Sequence, residues 1–363
     1  MTTPLPLAST HARLGARLGQ ADGYLVPLAY GDPAAEHGAV RDRVGMIDRS
    51  DRGVIETTGR DRAAFLQGML SSDVKGLTER QGVRATLLDA HGKILSILLV
   101  HCLADRLLLE TEARLATTTM EALERLHFSE QVELEDRSAD IGVVTLAGPA
   151  ARKTLEETLD RALPDLPLYH HTGVAWGGAH TLRIVRARET GENGYDLWVA
   201  TDGLAALWDG LLSAGARPIG REAWNVLRVE AGVVWHGVDV DASTLLLEAP
   251  LEDAYSLNKG CYVGQEVVAR VTYRGHVNRR IVGFRFPDAR IPAPGAIVRI
   301  GDRDVGRITS AVVSPALGRG LALGFLRREH WDPGTEVEVA GLDGLLRAEV
   351  SALPFYRRSL AVA

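Results

Sequence analysis

The sequence predicts an α+β protein whose last quarter forms a small β-barrel or sandwich. Helix-like and strand-like segments alternate through the first 276 residues without the regular βαβ repeat of a doubly wound fold. Beyond Arg280 helical periodicity fades. Short apolar runs then follow (Ile281 to Phe286, Ala296 to Ile300, Leu321 to Phe325, Glu336 to Val339, Leu345 to Val350), punctuated by Pro, Gly and Asp. At 363 residues and 46% hydrophobic content the chain can bury two or three cores. The boundary is placed at about residue 277, giving a body of residues 1–276 and a C-terminal β domain of residues 277–363.

The elements follow in order. Asp61 is positioned to cap a helix whose Phe65, Leu66, Met69 and Leu70 share one face. Leu87-Leu88, the turn Asp89-Ala90-His91-Gly92 and the run Ile94 to Val100 read as a hairpin, its apolar character broken only by Ser96. A helix with Leu115, Met120, Leu123 and Leu126 comes next, followed by the strand Val143 to Leu146. Gly148-Pro149 opens another helix with Leu155, Leu159 and Leu163 on one side. Arg183 to Arg188 and Tyr195 to Val199 read as hairpin strands joined by a tight turn at Asn193-Gly194, which leaves Glu192 at the tip.

Composition excludes several classes. The longest apolar segment, Ile94 to Val100, is far short of the ~18 residues of a membrane span, and residues 1–20 read as no export signal. No membrane partner is expected. Cys102 and Cys261, the only cysteines, give no disulfide framework and point to the cytoplasm; alone they hold no conventional iron–sulfur cluster. His170 and His171 are adjacent, read as a polar loop, and no metal site is expected. The net charge of −6 argues against bulk attraction to nucleic acid. Locally, Arg270, Arg274, Arg279 and Arg280 with His276 form a basic stretch suited to phosphate or carboxylate partners, or a solvated linker balanced by nearby acids.

Lys259-Gly260-Cys261-Tyr262-Val263-Gly264-Gln265-Glu266 sets a cysteine between glycines, beside a lysine, before a helix start. A nearby cation and free backbone N–H groups favour a thiolate. The same run also reads as a turn around a small buried hydrophobe.

The run KGCYVGQEVVAR, with Arg274-Gly275 and Asn278-Arg279-Arg280, closely resembles the signature of the YgfZ family of folate-binding proteins. These are relatives of the aminomethyltransferase (T protein) of the glycine cleavage system. The likeness extends to Phe65-Leu66-Gln67-Gly68, Thr190 to Tyr195, Gly220-Arg221-Glu222, Arg228 to Gly232 and Val305 to Ser310. It implies a folate-binding, aminomethyltransferase-like core of two interlocked subdomains plus a C-terminal β-barrel, with tetrahydrofolate or a one-carbon derivative as cofactor. It carries pterin binding to Glu192, whose carboxylate would accept two parallel donors, and folate contact to Arg221. Ungapped alignment puts Ser96 where the T protein has a catalytic aspartate and Arg84 where it has an aromatic residue.

Three readings remain open. The first is a tetrahydrofolate-binding accessory protein that supports iron–sulfur cluster assembly or repair in client enzymes, tRNA-modifying ones included. In it Cys261 is a thiol near folate, Lys259 favours the thiolate, and Gly260, Tyr262, Gly264, Gln265 and Glu266 shape the motif. The second is a folate-dependent aminomethyltransferase or demethylase with a replaced catalytic group. The third is a tRNA or protein binding module using Arg270, Arg274, Arg279 and Arg280.

Overall fold

The computed structural model describes residues 2–358 except 179 and 343. Beside a three-stranded sheet in the order Thr3–Pro4, Tyr24–Ala29 and Arg17–Ala21, two larger sheets build the body. One has six strands in the order His171–Trp176, His180–Ala187, Gly194–Ala200, Ile141–Ala147, Gly45–Asp48 and Arg217–Pro218. The other has five, in the order Gly82–Leu88, Ile94–Cys102, Leu107–Glu112, Arg52–Thr58 and Glu133–Asp136. Gly45–Asp48 and Arg52–Thr58 are consecutive in the chain yet lie in different sheets, and the chain returns to the first sheet at Ile141. The five-stranded sheet is thus a continuous stretch, residues 52–136, inserted between Gly45–Asp48 and the remaining strands of the six-stranded sheet, which is how the two subdomains interlock.

Each of these two sheets buries its outer face under helices. Ala151–Leu159 and Leu204–Ser213 set Leu155, Leu207, Trp208 and Leu211 against Leu146, Leu197 and Val199. Arg62–Met69 and Ala113–Glu124 set Phe65, Leu66, Ala116 and Leu123 against Leu98, Val100 and Leu109. The inner faces meet along a seam of Val54, Leu108, Val143, Val185 and Trp198. That seam is narrow, and its polar continuation forms the candidate site.

The barrel closes in the order Arg279–Arg285, Arg319–Arg327, Arg303–Ser314, Ile297–Ile300, Glu336–Gly341 and Gly344–Ser351, around Phe284, Val298, Ile308, Val339 and Val350. All the predicted runs appear as strands. Arg303–Ser314 was absent from them because Gly306, Arg307, Thr309 and Ser310 interrupt its apolar character. A register shift between Ile308 and Ser310 turns Thr309 and Ser310 towards the body.

There they meet the helix Arg221–Glu230. Its N-cap is Gly220 because any Cβ would lie 2.2 Å from the Leu28 carbonyl oxygen. Arg228 pairs with Asp239 at 2.5 Å and donates to Ser310 Oγ at 2.7 Å, while Asp239 accepts from both Thr309 and Ser310 at 2.6 Å. Glu230 accepts from Ser314, from Arg41 at 2.5 Å and from His37 at 2.9 Å. These groups are buried, a placement tolerated only because each charge is paired.

Two local expectations change. Asp61 precedes its helix without capping it, since its carboxylate accepts from Gln131 N at 2.8 Å. The hairpin His180–Ala187/Gly194–Ala200 turns through residues 188–193, with positive φ at Gly191 (77°) rather than at Gly194. Gly194 is already paired with Ala187 and Ala147, and Asn193 is pinned by Arg186 at 2.6 Å.

Candidate functional site

A channel opens where the seam meets the segment Val233–Trp235. Its inner chamber, about 70 Å³, is walled by Arg52, Ile97, Leu99, Tyr169, Asp196 and Trp235 among others. One side leads to a vestibule of about 300 Å³, with Arg84, Tyr169, Arg188 and Val233 common to both spaces. The other leads to a recess of about 20 Å³ at Arg49, Asp51, Arg221 and His236. A larger cleft of about 640 Å³ lies on the barrel, and none of its residues belongs to the channel.

The chamber carboxyl that stands out is Asp196. Along Gly194–Ala200, Tyr195, Leu197 and Val199 enter the outer core, so Asp196 and Trp198 face inward. Asp196 is 8% exposed and accepts from the Thr145 hydroxyl at 2.6 Å. Burial, and then the charges of Glu110 and Glu189, push it up to about 7. The neighbouring acids behave differently. Burial alone would raise Glu110 and Glu189, but Arg52 at 2.7 Å from Glu110 and Arg49 at 2.9 Å from Glu189 hold both below the usual carboxylate range. Asp196 thus keeps lone pairs that no arginine occupies.

Glu192, the sequence candidate for the pterin, lies outside this channel. Its side chain is fully buried and accepts from Arg41 at 3.0 Å, Tyr356 at 3.0 Å and Arg358 at 2.7 Å. Both oxygens are committed, and they anchor the C-terminal segment. Ser96 is also turned away. It is fully buried, shares a hydrogen bond with Thr111 Oγ1 at 2.8 Å, and lies on the strand face that Leu98 and Val100 send into the core. Strand alternation gives the chamber Ile97 and Leu99 instead, so this strand offers it no carboxylate.

Arg84 lines the chamber and vestibule and donates to Asp253 at 3.3 Å. Arg221 lines the recess and donates to Asp51 at 2.6 Å and Asp22 at 2.5 Å. The cysteine motif sits elsewhere. Cys261 is exposed, and no residue from 259 to 266 lines the channel, so the thiol is not beside the chamber. Gln67 ties the Phe65–Gly68 run to the cysteine motif: it donates to the Lys259 carbonyl at 2.8 Å and accepts from Val74 N and Lys75 N. Lys259 reaches back to the Gln67 carbonyl, packs 4.9 Å over the Tyr262 ring, and is held down to about 8 chiefly by burial. Gly264 has φ 81° and approaches the hairpin turn so closely that a Cβ would lie 2.6 Å from the Asp89 oxygen. Gln265 accepts from Tyr262 N at 3.3 Å, and Glu266 is exposed.

The basic stretch is only half free. Arg279 pairs with Glu248 at 3.1 Å and Arg280 stacks 4.3 Å over Trp331, whereas Arg270 and Arg274 are exposed on the helix Gln265–Arg274. His171, expected in a loop, begins a strand and is buried beside His101. Burial, then His101 and Arg183, lower it to about 3. Among the described residues no group of three or more His, Cys, Asp and Glu is arranged to hold a metal ion, and no helix is long and apolar enough to cross a membrane. Asp196 was missed, although a lone acid within the apolar strand Tyr195 to Val199 is itself a signal of a functional position.

Two family models cover the chain: the GCVT N-terminal domain over residues 7–259 and the glycine cleavage T-protein C-terminal barrel domain over residues 279–357. The chain belongs to the glycine cleavage T-protein family. Aminomethyltransferases of Alkaliphilus oremlandii and Symbiobacterium thermophilum are similar to it. The first is 31% identical over 98% of this chain and 97% of its own length, the second 33% over 97% and 96%. The crystal structure of glycine cleavage system aminomethyltransferase T from Bartonella henselae superimposes with a TM-score of 0.89 at 26% identity, covering 98% of both chains. The fold is therefore aminomethyltransferase-like throughout. For a T-family chain the cofactor is tetrahydrofolate or a one-carbon derivative, and the uncommitted lone pairs of Asp196 suit the paired donors of a pterin.

Proposed function

We propose that this T-family protein binds tetrahydrofolate in the channel through Asp196 and transfers a one-carbon unit, in the manner its aminomethyltransferase relatives' name describes. One observation carries the reading: Asp196 is a buried chamber carboxyl that accepts from the Thr145 hydroxyl and forms no ion pair with any of the chamber's arginines. A pterin presents a ring N–H beside an amino group, and a carboxylate accepts both together. When bound, the folate supplies the nitrogen that receives the one-carbon unit. Ile97, Leu99 and Trp235 keep water from that position, and the ionised Asp196 orients the ligand by accepting its paired donors. Calorimetric titration of wild type and Asp196→Asn with tetrahydrofolate tests the site. Equal affinities would remove Asp196 from it.

A second reading, a YgfZ-like accessory to iron–sulfur cluster assembly, is favoured by the apolar Ile97 and by the exposed Cys261. Formation of methylenetetrahydrofolate from an aminomethylated carrier protein separates the two. Turnover supports the transferase. Folate binding without turnover, together with failure of Cys261→Ala to restore cluster-dependent enzymes in deficient cells, supports the accessory role.

A further inference from the structure

The inner chamber is too small for its proposed ligand. About 70 Å³ holds a few water molecules, whereas small-molecule sites commonly need ~300 Å³ or more. Of the two approaches, the vestibule of about 300 Å³ is the roomier and the recess of about 20 Å³ the tighter, so a ligand arrives through the vestibule. Between vestibule and chamber stands Tyr169, a wall of both. Its hydroxyl donates to Asp253 Oδ2 at 2.6 Å, and Asp253 Oδ1 accepts from Arg84 at 3.3 Å. The three residues come from separate parts of the chain: Arg84 from the strand Gly82–Leu88, Tyr169 from the segment before His171–Trp176, and Asp253 from the loop after Glu248. Tyr169 also has φ 66°, a left-handed conformation that a bulky residue keeps only when its surroundings enforce it.

We propose that Tyr169, Asp253 and Arg84 form a latch that closes the neck of the channel and must open before a pterin-sized ligand enters the chamber. Asp253 is the keeper, because its two oxygens tie the tyrosine on one wall to the arginine on the other. Opening breaks two hydrogen bonds to one partly exposed carboxylate and lets Tyr169 leave its strained conformation. The identity of the ligand rests on the folate reading, but the motion does not.

A thiol placed inside the chamber reports the latch without any folate. In Ile97→Cys, timed iodoacetamide labelling followed by mass spectrometry reads how often the chamber opens. Adding Tyr169→Phe keeps the ring and removes the tie, and Asp253→Ala removes both ties. Each should raise the labelling rate at position 97 about fivefold to tenfold, with Cys261 labelling as the unchanged internal reference. Equal rates at position 97 with and without either change would overturn the latch. Tetrahydrofolate should protect position 97. Absence of protection with accelerated labelling would refute the folate reading and leave the latch standing.

Discussion

Replacing Asp196 by Asn separates two consequences of one buried carboxyl. The native fold moves this group from 3.8 to about 7, so the folded chain holds its proton more tightly than the unfolded chain does. The sign follows from linkage: stability is highest below about pH 4, falls as pH rises from about 4 to about 7, and is level above. About three units at ~1.36 kcal/mol each set a ceiling of about 4 kcal/mol, and relaxation around the ion brings the expectation to about 2–3 kcal/mol. Asn keeps an acceptor for the Thr145 hydroxyl without the charge. Asp196→Asn should therefore exceed wild type by about 2–3 kcal/mol at pH 8 and match it near pH 4, read by urea unfolding. Binding should move in the opposite direction. Paired donors on the ligand need the ionised carboxylate, so wild-type affinity for tetrahydrofolate should fall about tenfold per unit as pH drops below 7. The variant should bind about tenfold to a hundredfold more weakly at pH 8 and show no such slope. Calorimetry between about pH 5.5 and 8 reads both. Wild-type affinity that is the same at the two ends, or a variant that binds as tightly as wild type, would refute the argument.

Glu192→Gln should leave folate affinity within about threefold of wild type and lower unfolding stability by about 1–3 kcal/mol, since it strips the charge facing Arg41 and Arg358; thermal unfolding and calorimetry read the pair. Cys261 should be alkylated before Cys102, whose thiol burial pushes up, and tetrahydrofolate should not protect it because its loop lies outside the channel. Labelling in the other order would show that Cys261 is shielded. Arg228→Met should cost about 3–5 kcal/mol by leaving Asp239 buried without its counter-ion, seen as a lowered urea midpoint.

The sequence was most readable where one physical signal settled the matter. Gly92 and the hairpin Leu87 to Val100, the helix bearing Phe65 and Leu66, and the punctuated barrel strands are dictated by local turn chemistry and periodicity. Facing was harder. In Ile94 to Val100 both strand faces are apolar, so nothing in the pattern says whether Ser96 or Ile97 meets the channel, and a slip of one residue exchanges them. Glu192 misled because a loop acid beside Asn-Gly looks exposed. Its partners Arg41 and Arg358 are more than 150 residues away, and no local rule reports such a pair. Asp196 carried a readable signal, yet its chamber exists only because two separate sheets, one of them interrupted in the chain by the other, close against each other.

The helix Arg221–Glu230 has one end in the channel and the other in the barrel. A body cut loose at residue 277 would retain Arg228 and Glu230 but lose Ser310 and Ser314, and its Asp239 would lose both hydroxyls that satisfy it. The boundary between body and barrel is therefore not a seam of folding. Body and barrel should melt together, and a shift of the barrel would be felt at Arg221 through a single rigid rod about 15 Å long.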